Sequence, residues 1–96
     1  MLEKNASILL VEDEENFHEA LKLNLELEGY SVSSAYDGSH AIRSVEQEYF
    51  DLIILDIMLP EIDGIGVLET IRVQNNEVPI LILSAKSGSA DRVLGL

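Results

Sequence analysis

The sequence predicts an α/β fold, a parallel β-sheet with helices on both faces. Three observations carry that expectation. Short apolar runs alternate with helical patterns along the chain, as parallel strands joined by crossover helices do. The run Leu52-Ile53-Ile54-Leu55 is continuously apolar, which reads as a strand buried on both faces. Three runs end in polar groups: Glu12-Asp13, Asp56 and Ser84. In an open parallel sheet those ends meet at the carboxyl edge, where such folds build their crevice.

Ninety-six residues make one small domain, residues 1–96. An apolar fraction of 47% excludes a wholly disordered chain. The net charge of -12 argues against binding of nucleic acid or an anionic membrane by this segment. Without cysteine, disulfides and thiolate metal sites are excluded. The run Ile8 to Val11 is too short to span a bilayer, and nothing before it reads as a signal peptide. A soluble, cytoplasmic protein is the expectation.

Ser7-Ile8-Leu9-Leu10-Val11 is the first strand, and it ends in Glu12-Asp13-Glu14-Glu15. Acids favour helix N-termini, so part of this run simply opens the next helix. Asn16 with Glu19 has capping-box spacing, and the helix is expected from Phe17 to Glu28. Phe17, Ala20, Leu21 and Leu25, flanked by Leu23 and Leu27, form a broad apolar arc. Asn24 interrupts that arc. Gly29 suits the C′ position that ends a helix. His18 has no second His or Cys at ligand spacing and reads as a lone exposed side chain. The second strand, Tyr30 to Tyr36, is rich in serine and suits a sheet edge.

Asp37-Gly38-Ser39 is a turn opening the second helix, with Ala41, Ile42, Val45 and Tyr49 on one face. His40, in its first turn, has no metal partners either. The third strand follows and ends near Leu59-Pro60. After it, Asp63 is a good N-cap for a third helix whose buried stripe is Val67, Leu68 and Ile71. Gly64 and Gly66 weaken that helix or permit close approach. Pro79 opens the fourth strand, Ile80 to Leu83, and a fourth helix is expected from about Ala90, with Val93 and Leu94 on its apolar face.

Clustered carboxylates do not all ionise cheaply unless a cation joins them. A hard divalent ion held by oxygens is the natural partner, and Mg²⁺ takes one or two carboxylates plus waters and phosphate oxygens. An Asp beside it can act as a nucleophile toward phosphorus, with a hydroxyl such as that of Ser84 donating to the phosphoryl group. A lone Asp56 is as well explained by a strand end meeting solvent; the convergence with Glu12, Asp13 and Ser84 favours a site.

The strings Ile8-Leu9-Leu10-Val11-Glu12-Asp13-Glu14, Asp37-Gly38, Asp51 to Pro60 with Asp63-Gly64, and Ser84-Ala85 together resemble the receiver domain of bacterial response regulators. The resemblance runs from about Ile8 to Leu96. It implies the flavodoxin-like strand order 2-1-3-4-5. It implies that Asp56 is the phosphoacceptor for a sensor histidine kinase, in a signalling module rather than a turnover enzyme. Asp13, Asp56 and the Met58 backbone carbonyl become direct Mg²⁺ ligands, and Glu12 assists through water. The Met58 side chain borders the path of the hydrolytic water. Ser84 becomes the switch hydroxyl, and Ala85 leaves room for the phosphoryl group. Asp91 to Leu96 is similar to the subgroup with a winged-helix DNA-binding output domain, which implies transcription regulation. An aspartate-nucleophile phosphatase is set aside, because such enzymes resemble Asp-x-Asp where this chain has Met58. The alternative is a non-switching binding or dimerisation module on the same fold.

The family's fifth strand, with its Lys and aromatic switch residue, and its fifth helix have no counterpart within residues 1–96; Lys86 is not that Lys. The receiver domain is therefore expected to be incomplete at its C-terminus, with strand order 2-1-3-4. That leaves Ile80–Leu83 as a flat, apolar, uncharged edge, the profile of a strand that recruits another. A second chain, in a homodimer or otherwise, is expected to cover it, the competing outcome being that the remainder of a longer polypeptide does so.

Overall fold

The computed structural model describes residues 5–57, 64–74, 77–83 and 93–95. Strands β1 (Ser7–Val11), β2 (Ser31–Ala35), β3 (Leu52–Asp56) and β4 (Ile80–Leu83) alternate with helices α1 (Glu15–Leu27), α2 (Gly38–Gln47) and α3 (Gly64–Gln74). A short strand β5 (Val93–Gly95) follows. The sheet order is β2-β1-β3-β4-β5. The first four strands are mutually parallel, the flavodoxin-like 2-1-3-4 arrangement. The serine-rich β2 lies at the edge, as its composition predicts.

The central strand β3 pairs with β1 through Ile53↔Leu9 and with β4 through Ile54↔Leu81. Its alternate side chains enter two different cores. Ile53 and Leu55 join Leu9, Val11, Ala35, Ala41, Val67 and Ile71 under α2 and α3. Ile54 joins Ile8, Leu10 and Leu83 on the opposite face, with Phe17, Leu21 and Leu25 of α1 packed against them. A strand with period two and apolar residues throughout has no other way to bury them all. Among the described residues no helix is long and apolar enough to cross a membrane.

Several local expectations are corrected. The N-cap of α1 is Glu14, whose carboxylate accepts from the Phe17 amide at 2.6 Å; Asn16 and Glu19 do not form the capping box. Any acid of the run can satisfy the first free amides, and the exit from β1 presents Glu14 to them. The apolar arc is also narrower than its sequence suggests. Leu23 and Leu27 are 57% and 74% exposed, Ala20 is exposed as well, and Asn24 lies in solvent with its amide donating back to the Ala20 carbonyl at 3.0 Å. The helix ends as expected. Gly29 has φ 102°, its amide bonds Glu26 O and that of Tyr30 bonds Leu25 O, the paired bonds of a Schellman close. Asp37 caps α2, accepting from the His40 amide at 2.8 Å. Tyr49 lies beyond that helix and is 76% exposed, while its neighbour Phe50 takes the buried place.

The largest difference lies at the chain's C-terminal end. Val93–Gly95, expected inside a fourth helix, is a strand antiparallel to β4, with Leu83↔Val93 and Ile82↔Gly95 paired. The edge that was expected to need a second chain is covered at Ile82 and Leu83 by the chain itself. Unpaired backbone groups along an apolar strand attract whatever extended segment reaches them. A three-residue stretch with a β-branched Val and a Gly has little helix propensity to oppose that.

Candidate functional site

Two crossings of the sheet set the site. Strand β1 delivers Glu12 one residue beyond its last position, and the Glu12 amide still extends the ladder to Ala35 O at 3.1 Å. Strand β3 ends on Asp56, and the Ile57 amide continues to Leu83 O at 3.2 Å. Adjacent parallel strands in register therefore place both acids at one end of the sheet. Each strand is anchored at the other end too. The Asp51 amide donates to Ser7 O at 2.7 Å, and the Ser7 amide donates to Asp51 Oδ2 at 2.7 Å. Asp51, which in the sequence only bounds the apolar run, is thus a clasp between the starts of β1 and β3.

At the carboxyl end, one oxygen from each of Glu12, Asp13 and Asp56 lies within 4.8 Å of the others. Glu12 and Asp56 are buried and Asp13 is exposed. Two like charges at that separation repel by roughly 3 kcal/mol at an effective dielectric near 20. The Glu12 carboxyl is displaced from its ordinary value. Burial pushes its pKa up from 4.5 to about 7, against the lowering effect of the Glu14 amide, and the charges of Asp56 and Asp13 raise it further. Its Oε2 accepts from the Glu14 amide at 2.9 Å. Its Oε1 is buried without a hydrogen-bond partner.

An all-oxygen donor set with excess negative charge and one orphaned buried oxygen fits a hard divalent cation such as Mg²⁺. It offers no soft or imidazole ligand that would select another class of metal. Gly64 lets α3 close on this end of the sheet. Its amide bonds Ile57 O at 3.0 Å, and a Cβ there would collide with the backbone of Ile57 and lie 2.8 Å from Asp56 O. Of the remaining sequence-derived site residues, Met58, Ser84 and Ala85 lie outside the described residues, as do Asp63, Lys86 and Ala90.

His18 is the residue that sequence reasoning misplaced. It is fully buried rather than exposed, with Nδ1 2.8 Å from Glu12 O and Nε2 2.8 Å from Ser34 Oγ. A signal for this was present: His18, Leu21 and Leu25 follow i, i+3, i+7 spacing along the buried side of α1.

Comparison with known proteins agrees with this fold. Residues 8–96 match the response regulator receiver domain. Over 92 residues the chain is 49% identical to the alkaline phosphatase synthesis transcriptional regulatory protein PhoP of Bacillus subtilis, covering 96% of this chain and 38% of that protein. It is 46% identical over 89 residues to the response regulator ArlR of Staphylococcus aureus, covering 93% of this chain and 40% of that protein. The chain thus spans about two fifths of the length of these curated relatives. Among solved structures, the response regulator TrrA of Thermotoga maritima in complex with Mg²⁺-BeF superposes with a TM-score of 0.81 at 39% identity, over 85% of this chain and 71% of that one. The receiver domain of the sensor histidine kinase PA1611 of Pseudomonas aeruginosa, with magnesium coordinated in its active-site cleft, gives 0.82 at 36% identity, over 91% of this chain and 73% of that one.

Proposed function

Because this chain belongs to the response regulator receiver domain family, we propose that it is the phosphoacceptor module of a two-component system, with Asp56 as the acceptor. The observation that carries this reading is a buried carboxylate at the end of the central strand, with two further carboxylate oxygens within 4.8 Å. An Asp56 oxygen attacks the phosphorus of a kinase phosphohistidine. The P–N bond breaks, the imidazole leaves with its electron pair, and an aspartyl phosphate forms. Burial of Asp56 keeps bulk water from its carboxylate. Asp13 and Asp56, with the Met58 backbone carbonyl, would hold Mg²⁺ directly, and Glu12 would assist through water. When bound, the ion offsets the clustered negative charge and that of the incoming phosphoryl group. Ser84 donates to the phosphoryl group once it is attached.

The module serves signalling rather than turnover chemistry. PhoP is by its name a transcriptional regulatory protein, and the corresponding role for this chain is to regulate transcription in the cytoplasm through an output domain. A sensor histidine kinase is its donor partner.

Incubation with acetyl phosphate and Mg²⁺, followed by intact mass, tests the assignment. The wild type gains about 80 Da, one phosphoryl group on a carboxylate, and hydroxylamine removes it. Asp56→Asn gains nothing. An undiminished adduct on that variant would place the acceptor elsewhere.

A further inference from the structure

The Glu12 backbone is bonded at both its amide and its carbonyl, and among the described residues His18 is the side chain that holds the carbonyl. The Glu12 amide donates to Ala35 O. The Glu12 carbonyl accepts from His18 Nδ1; a carbonyl only accepts, so Nδ1 carries the proton. In the neutral ring Nε2 then accepts the Ser34 hydroxyl at 2.8 Å. The imidazole also stacks on Tyr36, centroids 4.1 Å apart and planes 14° from parallel. The Tyr36 hydroxyl in turn donates to Glu19 Oε2 at 2.7 Å, back on α1. One fully buried ring thus joins the first turns of α1, the end of β2 and the loop that carries two of the three acids.

The carbonyl that His18 holds belongs to the Glu12–Asp13 peptide. A peptide unit is planar, so fixing the direction of its C=O also fixes the N–H and the Cα of Asp13. Asp13 is exposed, and among the described residues no hydrogen bond of its own sets where its side chain starts. We propose that His18 is a positioning residue for the cation site: by gripping the Glu12 carbonyl it sets the Glu12–Asp13 peptide so that both carboxylates face Asp56. This rests on the reading of that cluster as a Mg²⁺ site.

The test uses Mg²⁺ alone, titrated by calorimetry into the wild type, His18→Phe, His18→Asn, His18→Gln and Asp56→Asn. Order parameters of the Asp13 amide are measured without metal, and each variant is checked for folding by circular dichroism. His18→Phe keeps the stacked ring and loses both nitrogens, so Mg²⁺ affinity falls about 10-fold or more, the usual effect of removing a ligand's supporting bond. The Asp13 order parameter drops from about 0.85 toward 0.6. The Asn amide can donate from near the place of Nδ1, so His18→Asn recovers most of the affinity. The Gln amide reaches the place of Nε2, and His18→Gln stays weak. If His18→Phe does not fold, the Asn–Gln pair decides. Affinity within twofold of wild type in His18→Phe, or equal losses in Asn and Gln, overturns the proposal. Equal binding by wild type and Asp56→Asn would instead refute the cation reading, and the Asp13 amide would still report on His18.

Discussion

Without metal, Glu12 should cost this protein stability as pH rises from about 4.5 to about 7. In the folded state burial holds the Glu12 carboxyl protonated up to about pH 7, whereas its ordinary value is 4.5. Between those values the folded chain keeps a proton that the unfolded chain has released. Stability changes with pH in proportion to protons bound unfolded minus folded, and here that difference is negative. The contribution is complete below about pH 4.5, falls across the window and is gone above about 7. At about 1.4 kcal/mol per pH unit the drop has an upper limit of roughly 3 kcal/mol, a large share of the 5–15 kcal/mol typical of a domain. Urea unfolding in a chelator at constant ionic strength, from pH 5 to 7.5, measures it. Glu12→Gln has no proton to lose. Every other ionisable group is common to both proteins, so the difference between their curves reports Glu12 together with its interaction with the Asp56 and Asp13 charges. The variant should become the more stable protein at pH 7.5, and millimolar Mg²⁺ should recover much of the wild type's loss. Parallel curves for the two proteins would show that Glu12 ionises normally and that the packing around it does not hold.

Asp13→Asn should weaken Mg²⁺ binding in calorimetry, and in the wild type Mg²⁺ at ten times Kd should add about 1.4 kcal/mol to the unfolding free energy. Asp51→Ala removes the acceptor for the Ser7 amide and should cost about 1–2 kcal/mol by urea denaturation; Asp51→Asn, which keeps an acceptor oxygen, should recover most of it. Gly64→Ala drives a methyl into the backbone of Ile57 and should cost about 3 kcal/mol, with weaker Mg²⁺ binding because Ile57 adjoins Asp56. An alanine tolerated there without loss would mean that α3 does not approach β3 so closely.

Residue pattern alone determined the layered parallel sheet, because a continuous run such as Leu52 to Leu55 can be satisfied only between two covered faces. It also put Glu12, Asp13 and Asp56 at the same edge of the sheet, because parallel strands end on one side; that β1 and β3 are neighbours followed only from the resemblance, and the sheet order shows it. The Gly29 close of α1 and the turn at Asp37 that opens α2 were equally legible, being local geometry written in one to three residues. Tertiary structure alone decided matters that depend on what lies opposite. The breadth of the α1 face depended on how much sheet there was to cover, which left Leu23 and Leu27 in solvent. His18 is polar, and only the facing Glu12 carbonyl and Ser34 hydroxyl make its burial affordable. Val93–Gly95 became a strand because β4 offered unpaired backbone groups. That demand comes from a neighbouring strand, and no periodicity within the segment itself records it.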